Sequence, residues 1–466
     1  MFLRGYLPVG ALAFLLCWLG CIPALAQLRV VSYNTTGGPR AGLDTVLAAI
    51  SSDAANGFAK PPDVFALQEQ SASASTTQGI VDLLNGMFGA GTYARATLDG
   101  ATSGAGRPGL IYNTTTVQLI DQIAFGTVNT SAQARQTMRY QLQLVGYDSA
   151  AEFYVYSNHY KASTGSSDQA RRNLEATALR SNLDGLGEGT HAILAGDYNI
   201  RSSSEASYQT LLAAGPGQAF DPIDQPGSWH DNASFKSIHT QAPSDNPGSG
   251  LVGGGVDDRF DFQLVTGELL DSEGLSYIPG SYRVLGNNGT HQCCSHSITT
   301  GTGAAPNVLA ALTTASDHLP VIADYQLPAV MDVFAATLPA TLSLGQSFDW
   351  EIAVENVADV FAEIGADELD YMATLSGDLT GSFVGIDEPL NGGNLHLLSL
   401  DTSSLGVRSG LLTIESSSQA VANGFIQLPF SYTVVSVPEP SLGVFSIGIA
   451  LIPIGTRKRR DNLALS

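Results

Sequence analysis

Between residues 28 and 327 the chain repeats one device: a short apolar run of strand length that stops on, or just before, a polar side chain. The runs are LRVVSYN, PDVFALQE, GLIYN, YQLQLVGY, EFYVYSNH, HAILAGDYN, RFDFQLV and PVIADYQL. Rich in β-branched and aromatic residues and broken by turn formers, they are expected to be strands. Between them, Leu43, Val46, Leu47 and Ile50 share one helical face, and so do Ala176, Leu179, Leu183 and Leu186. Strand pairs in series with intervening amphipathic helices predict an α/β fold of two packed β-sheets flanked by helices, a four-layer sandwich.

After Pro328 the pattern changes. Residues 331–436 carry alternating stretches such as FDWEIAVEN, LLTIESS and FIQLPFSYTVV, separated by Gly, Ser and Asp turns. This pattern predicts a small all-β, Ig-like sandwich. It shows no catalytic constellation, so a spacer or binding module is expected. A chain of 466 residues has room for two such units plus tails. No internal repeat of fixed period is visible. The formal net charge is −22. Residues 27–330 hold 15 basic and 27 acidic side chains, whereas residues 331–436 hold one Arg and 14 acids. A broad basic footprint for nucleic acid is therefore missing, and an anionic substrate must be met by a cation and a few local Arg residues.

Both ends have the composition of address labels. Residues 1–26 combine Arg4, an apolar run from Ala11 to Leu19, and ALAQ with small residues at Ala24 and Ala26. That is the pattern of a cleaved signal peptide, with the mature domain, 27–327, beginning at Gln27. A lipoprotein cut before Cys21 fits less well with Trp18 in place. Residues 437–460 read VPEPSLGVFSIGIALIPIGTRKRR, an apolar segment interrupted by Pro453 and followed by a basic cluster. Short for a spanning helix, it keeps its basic end cytoplasmic. The order Pro-Glu-Pro, apolar segment and basic cluster resembles the PEP-CTERM sorting tail of bacterial surface proteins. That resemblance implies a secreted or cell-surface protein, transient membrane association through the tail, and a sorting protease that removes it.

Cys17 and Cys21 fall in the signal peptide, which leaves Cys293 and Cys294 in HQCCSHS between His291 and His296. Adjacent cysteines do not easily ligate one ion together, and no second Cys/His pair is apparent. A vicinal disulfide or two ordinary thiols are expected there rather than a metal site.

The strand ends carry the chemistry. LRVVSYN ends at Asn34, PDVFALQE at Glu69 and EFYVYSNH at His159. HAILAGDYN delivers Asp197 and Asn199, RFDFQLV contains Asp261, and SDH supplies Asp317 and His318 just before PVIADYQL. Singly, a strand-end Asn or Asp is a turn former. Six such ends in series are not explained that way.

The series resembles the endonuclease/exonuclease/phosphatase superfamily over about residues 28–326, on LQE at 67–69, GDYN at 196–199 and SDHLPV at 316–321. The resemblance implies hydrolysis of phosphate esters with a divalent ion, usually magnesium. Glu69 and Asn34 are then expected to hold the ion, with Asp317 ligating directly or through water. Asp197 is expected to align or activate the nucleophile. Asn199, two residues on and on the same strand face, is expected to bond a phosphate oxygen. His318 would face the phosphate with Asp261 orienting its ring, and His159 would act from the other side. Arg135 falls where relatives carry a phosphate-contacting Arg; Arg171 and Arg172 are weaker candidates. Thr36 and His159 depart from the abasic-site endonuclease pattern and match the deoxyribonuclease and sphingomyelinase branches. The reading is a metal-dependent phosphodiesterase, foremost an extracellular nuclease. The alternatives are a sphingomyelinase-like or other small phosphodiester hydrolase, and a catalytically inactive surface binding or structural protein. Trp229 and Phe235 are either base-stacking residues or packed loop aromatics.

Overall fold

The computed structural model describes residues 27–437 apart from 105 and 249. The signal-peptide reading, and the sorting-tail reading beyond Val437, lie outside the described residues. Among those described, no helix is long and apolar enough to cross a membrane.

The chain starts with β1 (Leu28–Asn34), α1 (Leu43–Ser52), β2 (Val64–Gln70), α2 (Gln78–Phe88), β3 (Tyr93–Arg95) and β4 (Arg107–Asn113). Next come β5 (Val117–Phe125), β6 (Thr137–Leu144), β7 (Glu152–His159), α3 (Ser166–Asp184), β8 (Ala192–Asp197) and α4 (Ala206–Leu212). There follow β9 (Ala219–Phe220), β10 (Asp261–Thr266), β11 (Ser276–Tyr277), β12 (Arg283–Val284), α5 (Pro306–Ala315) and β13 (Val321–Gln326). One sheet has the order β11-β13-β1-β2-β4-β3, with β12 also on β13; the other runs β5-β6-β7-β8-β10-β9.

Strands β1 and β2 of the first sheet pack on β7 and β8 of the second. Tyr33, Leu67, Val155, Leu194 and Phe262 belong to the single apolar core that results. Each fully buried Val, Leu or Phe there contributes roughly 1.5–3 kcal/mol relative to exposure. The helices cover the sheets as their periodicity requires. Leu43, Val46, Leu47 and Ile50 of α1 are buried, as are Ala176, Leu179 and Leu183 of α3, while Leu186 lies just past the α3 end.

Eight further strands follow: β14 (Met331–Ala335), β15 (Thr341–Ser343), β16 (Asp349–Asn356), β17 (Leu369–Gly377), β18 (Gly381–Asp387), β19 (Asn394–Ser399), β20 (Gly406–Ser416) and β21 (Phe425–Val435). They form a three-stranded sheet, β14-β16-β19, and a five-stranded one, β15-β21-β20-β17-β18. Alternation in the sequence is the cause: in β16 Trp350, Ile352 and Val354 point into a second apolar core with Leu412, Ile414 and Tyr432. Backbone bonds tie this part to the first, from Leu327 N–H to Gly365 O (2.9 Å) and from Asp367 N–H to Leu327 O (2.8 Å).

Candidate active site

Register assembles the site. Parallel pairing of β7 with β8 sets His159 beside Asp197, and antiparallel pairing of β10 with β8 sets Asp261 on its other side. Three strand ends of one sheet thus present His159, Asp197 and Asp261 in a row. The facing sheet contributes Asn34, paired in register with Gln68, and so Glu69 beside it. Asp317 and His318 precede β13, which pairs antiparallel with β1.

Two glycines make room for this convergence. A Cβ on Gly196 would sit 2.3 Å from Asn158 O, so only glycine lets β7 and β8 close up just before Asp197. A Cβ on Gly106 would sit 2.2 Å from the Glu69 Cα. Glu69 itself has φ +60° and follows Leu67, where the β2–β4 register slips. Such a bulge re-aims a side chain out of the strand's alternation.

Asp197 Oδ2 is the hub. It lies 3.4 Å from His159 Nε2, 3.7 Å from His318 Nε2, and accepts from Asn34 Nδ2 at 3.1 Å. Its other oxygen accepts the Asn199 backbone N–H at 3.1 Å, which fixes the carboxylate's rotation. Asn34 Nδ2 also donates to Glu69 Oε1 (3.2 Å), and Glu69 Oε1 is 3.9 Å from His159 Nε2. His318 Nδ1 is 2.7 Å from Asp261 Oδ2, the orienting pair expected from the sequence.

Burial decides the protonation pattern. Desolvation pushes Asp197 up to about 7, and the charges of Asp261 and Glu69 add to it while His318 and the Asn34 amide oppose. Desolvation disfavours charge on His318, but Asp261, Asp197 and Asp317 overcome it and hold the ring well above its usual range. Desolvation, then the charges of Arg135 and His318, hold His159 well below that range. At neutral pH one histidine is therefore charged and the other neutral, on either side of one carboxylate.

The structure brings Asn34, Glu69, His159, Asp197, Asp261 and His318 into one cluster. The remaining expected residues are placed differently. Asp317 belongs to neither of the His/Asp/Glu groupings here whose ligand atoms lie within 4.8 Å, Glu69–His159–Asp197 and Asp197–Asp261–His318. Its carboxylate is held by Thr36 Oγ1 and by the Val252 backbone N–H, the latter at 2.8 Å. Asn199 does not share the strand face with Asp197; β8 ends at Asp197, and Asn199 turns at φ +53° with Nδ2 on Tyr160 O (3.3 Å). Arg135 is buried, with Nη1 on Tyr160 O at 3.1 Å, so it clamps the exit of β7 and lends positive potential to Asp197 and Glu69. Arg172 is buried against Glu205 (2.6 Å), and Arg171 donates to Ala132 O (2.6 Å); both hold structure. Trp229 is fully buried against Tyr208, Phe262 and Arg259, so it is not a base-stacking platform, whereas Phe235 packs half-buried at the core edge.

Several supporting residues were not foreseen. Gln241 places its amide nitrogen 2.8 Å from His318 Nε2. An amide serves a neutral ring through its N–H and a charged ring through its oxygen, so Gln241 can follow the proton. Thr240 Oγ1 accepts the backbone N–H of Asp261 (3.0 Å), fixing the start of β10. Ser316 Oγ donates to Asn34 O (2.6 Å) and accepts from His318 N–H (3.1 Å), stitching the two sheet ends.

The donor set fits a hard divalent cation. Glu69 and Asp197 converge with an amide and imidazoles for company; burial is the main cause of the raised proton affinity of Asp197, and the smaller repulsion from Asp261 and Glu69 is what a cation would relieve. Asn34 turns Nδ2 to the carboxylates and Oδ1 to the Thr36 N–H (3.0 Å), so an oxygen contact to a cation requires the opposite amide orientation.

No family model matches the chain, and no curated protein matches it. Among solved structures, an endonuclease/exonuclease/phosphatase protein from Bacteroides vulgatus is similar at 13% identity, covering 65% of this chain and 99% of that one, with a TM-score of 0.40. TDP2 of D. rerio, complexed with a single-strand DNA product, is similar at 17% identity, covering 64% and 99%, TM-score 0.38. Sphingomyelinase C from Streptomyces griseocarneus is similar at 17% identity, covering 64% and 99%, TM-score 0.37.

Proposed function

We propose that this chain is a metal-dependent phosphodiester hydrolase whose substrate class is nucleic acid. The observation that carries the reading is Asp197 Oδ2 set between a neutral and a charged imidazole, 3.4 and 3.7 Å away, with Glu69 alongside. Phosphodiester hydrolysis needs an in-line water, charge relief on the phosphoryl oxygens and a proton for the departing alkoxide. Asp197 orients the water and takes its proton. His318, oriented by Asp261, binds the phosphate with its Nε2 side. The same charged ring supplies the proton for the leaving oxygen, while the neutral His159 and the Asn199 amide bond phosphoryl oxygens. A magnesium or similar ion, held by Glu69 with Asn34 and Asp317 near it, would supply charge neutralisation when bound. By the same reading residues 27–327 are the catalytic domain, and residues 331–436 an Ig-like spacer. ALAQ and the VPEP tail support export, which intact-mass measurement of native protein would check through loss of residues 1–26 and Arg457–Arg460.

The test is a panel assay of the purified chain on DNA, RNA, sphingomyelin and bis-p-nitrophenyl phosphate, with magnesium and with chelator. Cleavage of nucleic acid that stops in chelator and weakens sharply in Glu69→Gln is expected. Preference for sphingomyelin would move the substrate class to lipid. Full turnover in chelator, with no metal left by elemental analysis, would remove the cation. Inertness toward every substrate would leave a binding or structural protein.

A further inference from the structure

Away from Asp197, two loops meet at a second cluster of ligand-type side chains. One ligand atom from each of His239, His291 and Cys293 lies within 4.8 Å of the others. The sequence shows no second Cys/His pair to join HQCCSHS, but the fold brings His239 from a loop some fifty residues upstream. Both histidines are buried, at 0% and 1% exposure, and Cys293 is half-buried.

The second observation is what these rings lack. His239 Nε2 is bonded to Trp229 O at 2.7 Å, which places the ring proton there and leaves the Nδ1 lone pair outward. That Nδ1 has no hydrogen-bond partner, and neither nitrogen of His291 has one. Three fully buried imidazole nitrogens without partners are costly in an otherwise well-satisfied interior. An N–H to a backbone carbonyl with the other nitrogen unengaged is also how metal-ligating histidines are oriented. Burial lowers the proton affinity of both rings, to about 4 for His239, so protons compete weakly for these lone pairs. The Val256 backbone opposes that lowering at both rings, by less than burial imposes.

Cys293 is disulfide-bonded to Cys294, and in that state its sulfur carries no charge for a cation. We propose that His239, His291 and Cys293 form a redox-gated site for a borderline-soft divalent cation, zinc foremost, which binds when the vicinal disulfide is reduced. A dithiol reductant gives its two hydrogens to the two sulfurs and closes to its own disulfide. Cys293 then loses its proton to solvent as the cation binds. Two imidazoles and one thiolate form a zinc ligand set with a fourth position for water, and they exclude magnesium and calcium, which take oxygen donors. Bound there, the ion ties the 288–303 segment to the 237–241 segment, whose Gln241 meets His318 and whose Thr240 meets Asp261.

Cobalt(II) tests this in the full chain, because a thiolate ligand gives a near-ultraviolet sulfur-to-cobalt band that the oxygen and nitrogen donors around Asp197 do not. A phosphine reduces the disulfide, taking oxygen from water to become the phosphine oxide. The reduced wild type should gain the band with one cobalt per chain and lose it on adding zinc; the oxidised protein should show none. Cys294→Ser, which frees Cys293 and leaves both rings untouched, should show the band without reductant. Cys293→Ser should abolish it, and His291→Ala should weaken cobalt binding at least tenfold. A folded Cys294→Ser protein without the band, or an undiminished band in His291→Ala, would overturn the site.

Discussion

The two cores bury polar groups for different purposes. In the C-terminal part, buried acids serve the main chain: Asp387 accepts the Asn356 N–H at 2.8 Å, and Asp367 accepts the Gly274 N–H at 2.8 Å. In the first part, many buried acids are matched by arginine. Asp324 pairs with Arg29 at 2.7 Å, Asp221 with Arg259 at 2.7 Å, and Glu205 with Arg172 at 2.6 Å. Asp197, Asp261 and Asp317 combine the first rule with titratable or neutral partners: Asp197 and Asp317 accept the Asn199 and Val252 N–H groups. They are buried against histidines, an amide, a hydroxyl and one another. Burying a carboxylate is expensive without a full charge partner. Where a fold accepts a titratable partner instead, the proton is free to move, and that difference separates the site from the scaffold.

The largest effect should come from the hub. Asp197→Asn should cut kcat by roughly 10²- to 10⁴-fold while leaving stability equal or improved, since it removes a buried, repelled charge. Kinetics on bis-p-nitrophenyl phosphate beside a thermal melt checks both; an active but destabilised variant would place Asp197 with the scaffold acids.

The histidines sharpen the same contrast. His159→Ala and His318→Ala should each cost roughly 10²-fold or more on DNA, with the double variant little worse than the poorer single. A p-nitrophenyl leaving group needs no proton, so His318→Ala should lose much less on that ester than on DNA, while His159→Ala should lose alike on both. Equal losses of His318→Ala on DNA and ester would remove its role as acid.

In the other core, Leu412→Ala should destabilise by about 2–5 kcal/mol through lost burial and the cavity left behind. Denaturant unfolding followed beside turnover should show the C-terminal part melting earlier while kcat stays within twofold.

The smallest effect is at the joint. Burial, then the charges of Glu273 and Glu368, push Asp367 up to about 7. An unfolded Asp titrates near 4. The native state therefore holds the proton more tightly; this contribution is full below about pH 4 and is lost as pH rises to about 7. Asp367→Asn should leave stability at pH 4 nearly unchanged and raise it at pH 8, by about 1–2 kcal/mol once solvent screening is allowed for. Melts at the two pH values that shift equally would show that the carboxyl does not titrate there.

Much of the site was legible because strand-end chemistry survives in a linear sequence. The eight foreseen runs all contain strands, and the six polar ends they carry meet. The edge strand β5 escaped notice because VQLIDQIAF is mostly half-buried and lacks a buried face to impose alternation. Loop residues were harder. Gln241, Thr240 and Ser316 are ordinary types whose roles depend on what lies opposite them, and no local period encodes that. Asn199 was assigned to the Asp197 face by strand geometry, but the strand had ended. His239 was missed as a partner for Cys293 because only the tertiary fold joins their loops.

The position of β1 bears on how the protein is made. As the first described strand to leave the ribosome, it lies inside its sheet, between β2 and β13. Leu28 pairs with Tyr325, so one edge of β1 stays open until almost the whole first part has been translated. Contacts this distant along the chain fold slowly and late. The same closure brings Asp317 and His318 to Asn34, so any chain terminated before Ser316 lacks both of those residues. Truncated translation products are thereby both unclosed and chemically silent.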